Sequence, residues 1–400
     1  MRAWCAAAAV GAAVGAVAAA LVGALAGGAG NVAAAAAAGG SGVLVTPLDG
    51  EASFGEVVAQ APAGARDAVL LVGGRWAGRV RVTGDGEARF RLAGPTARPG
   101  RPGPRTVAVR FLSGAQLVGT ATARRVWLLP ASGAVARPVA VRDAALSEQL
   151  EQLGSAFPGW AGLYVQDLAT GRYASWNADA TFLGASTVKL GVLIEALRHF
   201  GPWPERSSDW PDIVAMITVS SNDAANRLLT RVGDGSDTAG SRAVDARFAA
   251  IGAVSTRFPG PYRLEQVRRL DAPRPTPFLP WRRTTARDLG GIVRAIHAAA
   301  VGNVDALRRT GLTLHEARLA LALLLDARPD GGALVGALRP GLTVAQKTGY
   351  REDVRNAAAV VYTPRGPKVV VVLTYRPPTI DGGAVARLAR GVTAAVGVGP

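Results

Sequence analysis

The chain has very little of several residue types. Its 400 residues include one cysteine, Cys5, so no internal disulfide can form and thiol catalysis further along the chain is excluded. Histidine is nearly as scarce. His199, His297 and His315 have no metal-ligand spacing, so neither a metal nor another cofactor is expected. Acidic residues are outnumbered, 29 Asp plus Glu against 45 Lys plus Arg, for a formal net charge of +16. That excess is spread through every region and accompanies no nucleic-acid motif, so nucleic acid is not an expected partner. With 49% hydrophobic residues the chain is too apolar to be disordered. The rarest base is lysine: Lys189, Lys347 and Lys368 stand alone among the arginines. Arginine does not lose its proton in a protein, whereas a buried lysine can.

What is present begins with an apolar run from Ala6 to Gly30 behind Arg2. Residues 1–41 read as an export signal or membrane anchor, so the mature protein is expected to be secreted or held on the outer face of the cell membrane. Cys5 precedes the run, whereas a lipid-attachment cysteine would follow it. On an exported protein the positive charge favours contact with anionic envelope polymers or lipids.

Two domains are expected. Over residues 42–130, short runs such as AVLLVGG, GRVRVTG, ARFRLAG and RTVAVRFL alternate in polarity and break at glycine turns. They predict a small antiparallel β-sandwich of immunoglobulin-like size, with a Pro-rich loop, AGPTARPGRPGPRT, between two strands. Residues 131–144 read as a linker. Residues 145–400 read as an α/β (α+β) domain. Its elements are an amphipathic helix AALSEQLEQLGSAF, a hairpin around Ala169-Thr170-Gly171-Arg172, and helical stretches near 187–198, 211–232, 245–251, 286–300 and 314–327. A three-strand meander and a last helix follow, giving an antiparallel sheet flanked by helices. Lys368, in a turn before a strand, reads as solvated.

The chemistry lies in three short motifs. Ser186-Thr187-Val188-Lys189 sits at a helix start, with the serine and the lysine on one face, one turn apart. A serine hydroxyl needs a neighbouring base to become a nucleophile. A lysine can be that base once burial and nearby positive charge lower its pKa from about 10.4. Ser220-Ser221-Asn222 falls at a helix entrance or short loop, and Lys347-Thr348-Gly349 on a strand.

With these motifs in this order, the region from about Ala144 to Pro400 resembles the serine penicillin-recognising enzymes, most closely class A β-lactamases. TTARDLG, from Thr284, is similar to the helix start after that family's omega loop. The resemblance implies a β-lactamase/transpeptidase-like fold and roles for named residues. Ser186 would be acylated, Lys189 would be its base or proton relay, and Ser220 would pass a proton to the departing nitrogen. Asn222 would hold the substrate amide and the Lys189 amine. Lys347 would supply positive field, and Thr348 would bind the substrate carboxylate. Gly349 would leave the strand edge free for the ligand. The backbone N–H groups of Ser186 and Tyr350 would form the oxyanion hole.

The pattern departs from the family in three places. The family's Glu-x-x-Leu-Asn is absent from STRFPGPYRLEQVRRLDAPRPTPFLPWRR, where Glu265 is the nearest acid and the candidate deacylation base, and Asp271 is the next. Ser221 stands where class A enzymes have Asp. The spacing from Ser186 to Ser220 is short for class A. The expected activity is hydrolysis of β-lactams through an acyl-serine. The alternatives are a D-Ala-D-Ala carboxypeptidase or penicillin-binding protein, an esterase using the same dyad, and a wall-binding module without turnover. The expected partners are a β-lactam or a peptidoglycan stem peptide, with cell-wall contact through the sandwich, and the expected state is a monomer.

Overall fold

A computed structural model describes residues 41–92, 103–133, 140–262, 282–328, 332–334 and 336–400. The segment read as an export signal and most of the Pro-rich loop lie outside the described residues. The chain divides into two compact units. In chain order, the first eight strands are β1 (Val43–Thr46), β2 (Ala52–Ser53), β3 (Glu56–Gln60), β4 (Asp67–Val72), β5 (Arg75–Arg81), β6 (Glu87–Arg91), β7 (Arg105–Ser113) and β8 (Gln116–Leu128).

Among the described residues, the first unit comprises 41–49, 56–92 and 105–126. In it β3 pairs antiparallel with β1 and β6, β4 with β5 and β7, and β7 with β8. Alternation sorts the side chains: Val107, Val109 and Phe111 of β7 are fully buried while Arg110 between them is exposed.

The second unit takes Trp127–Pro400 together with Gly50–Gly55. Ala52 and Ser53 of β2 pair in parallel with Trp127 and Leu128 at the end of β8. The boundary therefore differs from a cut at residue 130. Within 131–144, a 3₁₀ turn (Ala131–Gly133) precedes β9 (Val141–Arg142), which is an edge strand of the main sheet. That part of the segment is structure rather than linker. The chain continues as α1 (Ala144–Ser155), β10 (Trp160–Asp167), β11 (Arg172–Trp176) and β12 (Phe182–Leu183). Then come α2 (Lys189–His199), α3 (Trp210–Thr218), α4 (Asn222–Val232), α5 (Asp237–Ile251), β13 (Arg283–Thr284), α6 (Ala286–Ala300), α7 (Val304–Thr310) and α8 (Leu314–Asp326). The unit closes with β14 (Thr343–Arg351), β15 (Val354–Thr363), β16 (Gly366–Tyr375) and α9 (Gly382–Ala395).

The main sheet has the order β14-β15-β16-β10-β11-β9, antiparallel except where β9 lies parallel to β11. Both faces are covered, which is why the meander reads as unbroken apolar runs. In β16, Val370 and Val372 join Leu150 of α1 and Leu388 of α9 in one core. Val369, Val371 and Leu373 face the other core, with Leu193 of α2 and Ile296 of α6. Lys368, read above as solvated, is instead ion-paired within β16 to Asp167 at 2.5 Å. The expected helix over 211–232 is two helices, broken at Ser220-Ser221, and α7 was not anticipated.

One buried charge cluster fastens the Gly50–Gly55 segment. His315 Nδ1 lies 2.7 Å from Glu51 Oε1 and its Nε2 lies 3.2 Å from Glu205 Oε2. Arg318 approaches the other Glu51 oxygen at 3.7 Å, and the Trp203 ring packs on the imidazole. Burial pushes the His315 pKa down, but hydrogen bonding and charge from Glu51, aided by Glu205, outweigh it and leave it raised. A raised imidazolium pKa stabilises the fold fully below the unfolded value of about 6.5, and that contribution fades as pH rises through the folded value. His315→Gln should therefore destabilise the protein by about 1–3 kcal/mol near pH 6 and by less toward pH 9. Paired thermal melts across that range measure it; a gap that widened with pH would contradict the assignment.

Candidate active site

Ser186 lies in a 3₁₀ turn, Ala185–Val188, that runs directly into α2. The turn is held at both sides. Thr187 Oγ1 donates to Gly184 O at 2.6 Å, and Gly184 N donates to Arg282 O at 2.7 Å beside the β12–β13 pair. Ala185, just before the serine, adopts a left-handed backbone with φ 48°. A non-glycine residue there is strained, by about 1–3 kcal/mol, and persists only where its surroundings enforce it. Ser220 is a second case, with φ 58°.

That conformation turns both the carbonyl and the hydroxyl of Ser220 toward Lys189. Lys189 is the first residue of α2 and has no solvent exposure. Its Nζ donates to Ser220 O at 2.5 Å and to Asn222 Oδ1 at 2.7 Å, and stands 3.4 Å from Ser220 Oγ. Lys347 Nζ, from β14, reaches the same Ser220 Oγ at 2.9 Å and Thr348 O at 3.1 Å. Ser220 thus bridges two buried lysines from opposite sides of the site. Desolvation, then the Lys347 charge, then the Arg282 charge lower the Lys189 pKa to about 6. A neutral amine has two N–H donors and one lone pair. With Ser220 O and Asn222 Oδ1 taking the donors, the lone pair is available to accept a proton.

Two local features carry this geometry. Ser221 is the N-cap of α4, its side chain accepting from Ala224 N at 3.2 Å. Ser and Asp cap almost equally well, so serine at the middle of the motif keeps the helix start that presents Asn222. Gly349 lies against the Ser186 turn. A Cβ there would stand 2.9 Å from Gly184 O and 3.2 Å from Ser186 N. The missing side chain admits the turn that carries Ser186. Thr348 is buried, and Tyr350 is exposed with its ring under the Arg355 guanidinium at 3.7 Å.

Glu265 and Asp271 lie outside the described residues. The loop's two ends are described, and they are tied together. The Thr256 and Thr284 hydroxyls are 2.9 Å apart, Asp288 accepts from both Ser255 N and Thr256 Oγ1, and Arg257 bridges to Arg283. Thr285 caps α6, as the TTARDLG phrase suggested.

Three residues at this base were not singled out from the sequence. Tyr262 Oη donates to Ala185 O at 3.0 Å and is within interaction range of the Ser186 side chain. Its ring carries the Arg282 guanidinium at 3.8 Å and lies 4.6 Å from Lys189 Nζ. Asn226 grips the Tyr262 backbone twice, accepting from its N and donating to its O, each at 2.6 Å. Only Asn226 had a usable signal, lying one helical turn beyond Asn222. Tyr262 gave none, and Arg282 was one arginine among many. The Lys189 Nζ hydrogen bonds run to Ser220 and Asn222, and the Tyr262 phenol stands beside the Ser186 side chain.

The beta-lactamase enzyme family model matches residues 145–201 and 211–396. Three solved structures have a similar fold. One is PBP-A, with 22% identity and a TM-score of 0.51 over 65% of this chain and 98% of that one. A β-lactamase from Desulfarculus baarsii DSM 2075 shares 22% identity with a TM-score of 0.50, over 64% and 98%. A class A β-lactamase from Mycobacterium abscessus shares 24% identity with a TM-score of 0.50, over 63% and 100%. No curated protein matches the chain.

With three lysines in the chain, ¹³C-lysine labelling yields a spectrum simple enough to assign by substitution. One signal should titrate near pH 6 and vanish in Lys189→Met. Its midpoint should rise in Arg282→Gln. A Lys189 midpoint near 10 would refute the neutral amine. Separately, Ser221→Ala should cost about 1 kcal/mol of stability while Ser221→Asp costs almost none; equal losses in chemical denaturation would mean that the cap is irrelevant.

Proposed function

The chain belongs to the beta-lactamase enzyme family, and from that premise we propose that it is a serine hydrolase that opens β-lactams through an acyl-serine on Ser186. The observation that carries this reading is the buried Lys189–Ser220–Lys347 row. Lys189, neutral near pH 7, takes the Ser186 proton as Oγ attacks the lactam carbonyl. Ser220 relays a proton to the lactam nitrogen as the C–N bond breaks, and Lys347 offsets developing negative charge. In this reading Asn222 and Thr348 hold the substrate. The backbone N–H groups of Ser186 and Tyr350 receive the oxyanion, and such donors are worth about 2.7–4 kcal/mol each. Gly349 keeps the strand close to the nucleophile turn.

A second reading concerns the next step. Hydrolysis of the ester needs a base, and Glu265 is the sequence candidate. The group described beside Ser186 is a phenol, which favours a slow-turnover penicillin-binding protein or D-Ala-D-Ala carboxypeptidase. In either reading the apolar N-terminus serves export, toward a peptidoglycan-facing location, and the first unit serves envelope contact.

Intact-mass spectrometry with a penicillin, beside Ser186→Ala, tests the nucleophile. An adduct of penicillin mass should form on the wild type and be absent from the variant. Its rate of formation should fall about tenfold per pH unit below pH 6, because protonation then removes the lone pair. An adduct on both proteins, or no adduct and no penicillin consumed on either, would refute the assignment.

A further inference from the structure

We propose that Tyr262 sets the lifetime of the acyl-enzyme: its phenol, fixed against the Ser186 turn, fills the face of the ester nearest the loop and offers that face no base. This rests on the acyl-serine reading above.

The placement is over-determined. Asn226 holds the Tyr262 backbone through two 2.6 Å hydrogen bonds, as a strand partner would. Arg282 covers the ring at 3.8 Å and also donates to Gly260 O at 2.8 Å and to Pro261 O. The chain just before the tyrosine is thereby held from the far end of the loop. Phe258 packs edge-on against the ring at 5.6 Å. The phenol proton is committed to Ala185 O, inside the strained turn that carries the nucleophile. The oxygen lone pairs remain for the Ser186 hydroxyl.

Deacylation attaches water oxygen to the acyl carbon, breaks its bond to Ser186 Oγ and moves one water proton to a base. Tyr262 cannot be that base. Burial raises its pKa above the ordinary phenol value, the Arg282 charge opposes this only in part, and the group stays protonated at neutral pH. A carboxylate at this place would accept the proton. A phenol both lacks that capacity and takes up the room of the water. Acylation is unaffected by this limit, because in the reading above its proton goes to the Lys189 amine and not to the phenol.

The test follows adduct lifetime on the full chain with benzylpenicillin in wild type, Tyr262→Phe, Tyr262→Glu and Glu265→Gln, with thermal melts as a folding control. The wild-type adduct should be long-lived. Tyr262→Glu should form it and lose it about 10²-fold faster, the usual contribution of a placed general base. Tyr262→Phe should shorten the lifetime several-fold by freeing room for water, which keeps the proposal testable if the glutamate variant misfolds. A wild-type adduct lost within seconds, unchanged lifetimes in both Tyr262 variants, or a much longer lifetime in Glu265→Gln would each overturn the proposal. No adduct on the wild type together with no penicillin consumed would instead overturn the acyl-serine reading, and the proposal with it.

Discussion

A lysine amine is buried at zero exposure, hydrogen-bonded to a backbone carbonyl and a side-chain amide, with two further cations close by. Burying an ammonium ion in such a place is unfavourable, so the group gives up its proton. That constraint explains why lysine is retained in a chain that otherwise uses arginine. A guanidinium placed there would stay charged. It also explains the company the lysine keeps. Lys347 and Arg282 hold its pKa down, and the two oxygen acceptors orient the amine that results.

The scaffold is arranged around this amine from three directions. The 3₁₀ turn and α2 bring Ser186 and Lys189, the α3–α4 break brings Ser220 and Asn222, and the sheet edge at β14 brings Lys347. Each carries a local cost offset by neighbours. Ala185 and Ser220 hold left-handed conformations, enforced by hydrogen bonds from Tyr262 and from Lys189. Gly349 gives up a side chain so that the strand and the nucleophile turn can approach. The three motifs are far apart in sequence, and one close contact, Ser220 Oγ between Lys189 and Lys347, joins all three.

The base of the omega-like loop supplies a fourth direction. Arg282 acts on the site twice, through charge on Lys189 and by covering Tyr262. Asn226, one turn into α4, links the helix that presents Asn222 to the tyrosine beside Ser186. The loop entrance and Ser186 are therefore coupled by specific contacts, and substitutions in that base should be read as changes to the site.

Much of this was legible in the sequence. Alternation and helical spacing located the strands and helices because one or both faces of each element are buried. The meander was plain because β15 and β16 are covered on both sides. The three motifs identified the chemistry because lysine is rare here and its spacing from serine is short. Other features depended on tertiary contact. Val141–Arg142 became a strand rather than linker because β11 offered an edge, and Gly50–Gly55 joined the second unit through pairing with Trp127–Leu128 and the Glu51–His315 contact. Which of the many arginines tunes the lysine, and which aromatic group faces the nucleophile, could not be read from spacing. Arg282 and Tyr262 meet Lys189 from across a chain separation that local pattern does not encode. The sequence by itself determined that a serine and a lysine stand together at the start of α2, because they lie within one helical turn. The tertiary structure decided the protonation of that lysine and the group set against the serine, because both depend on what folding buries beside them.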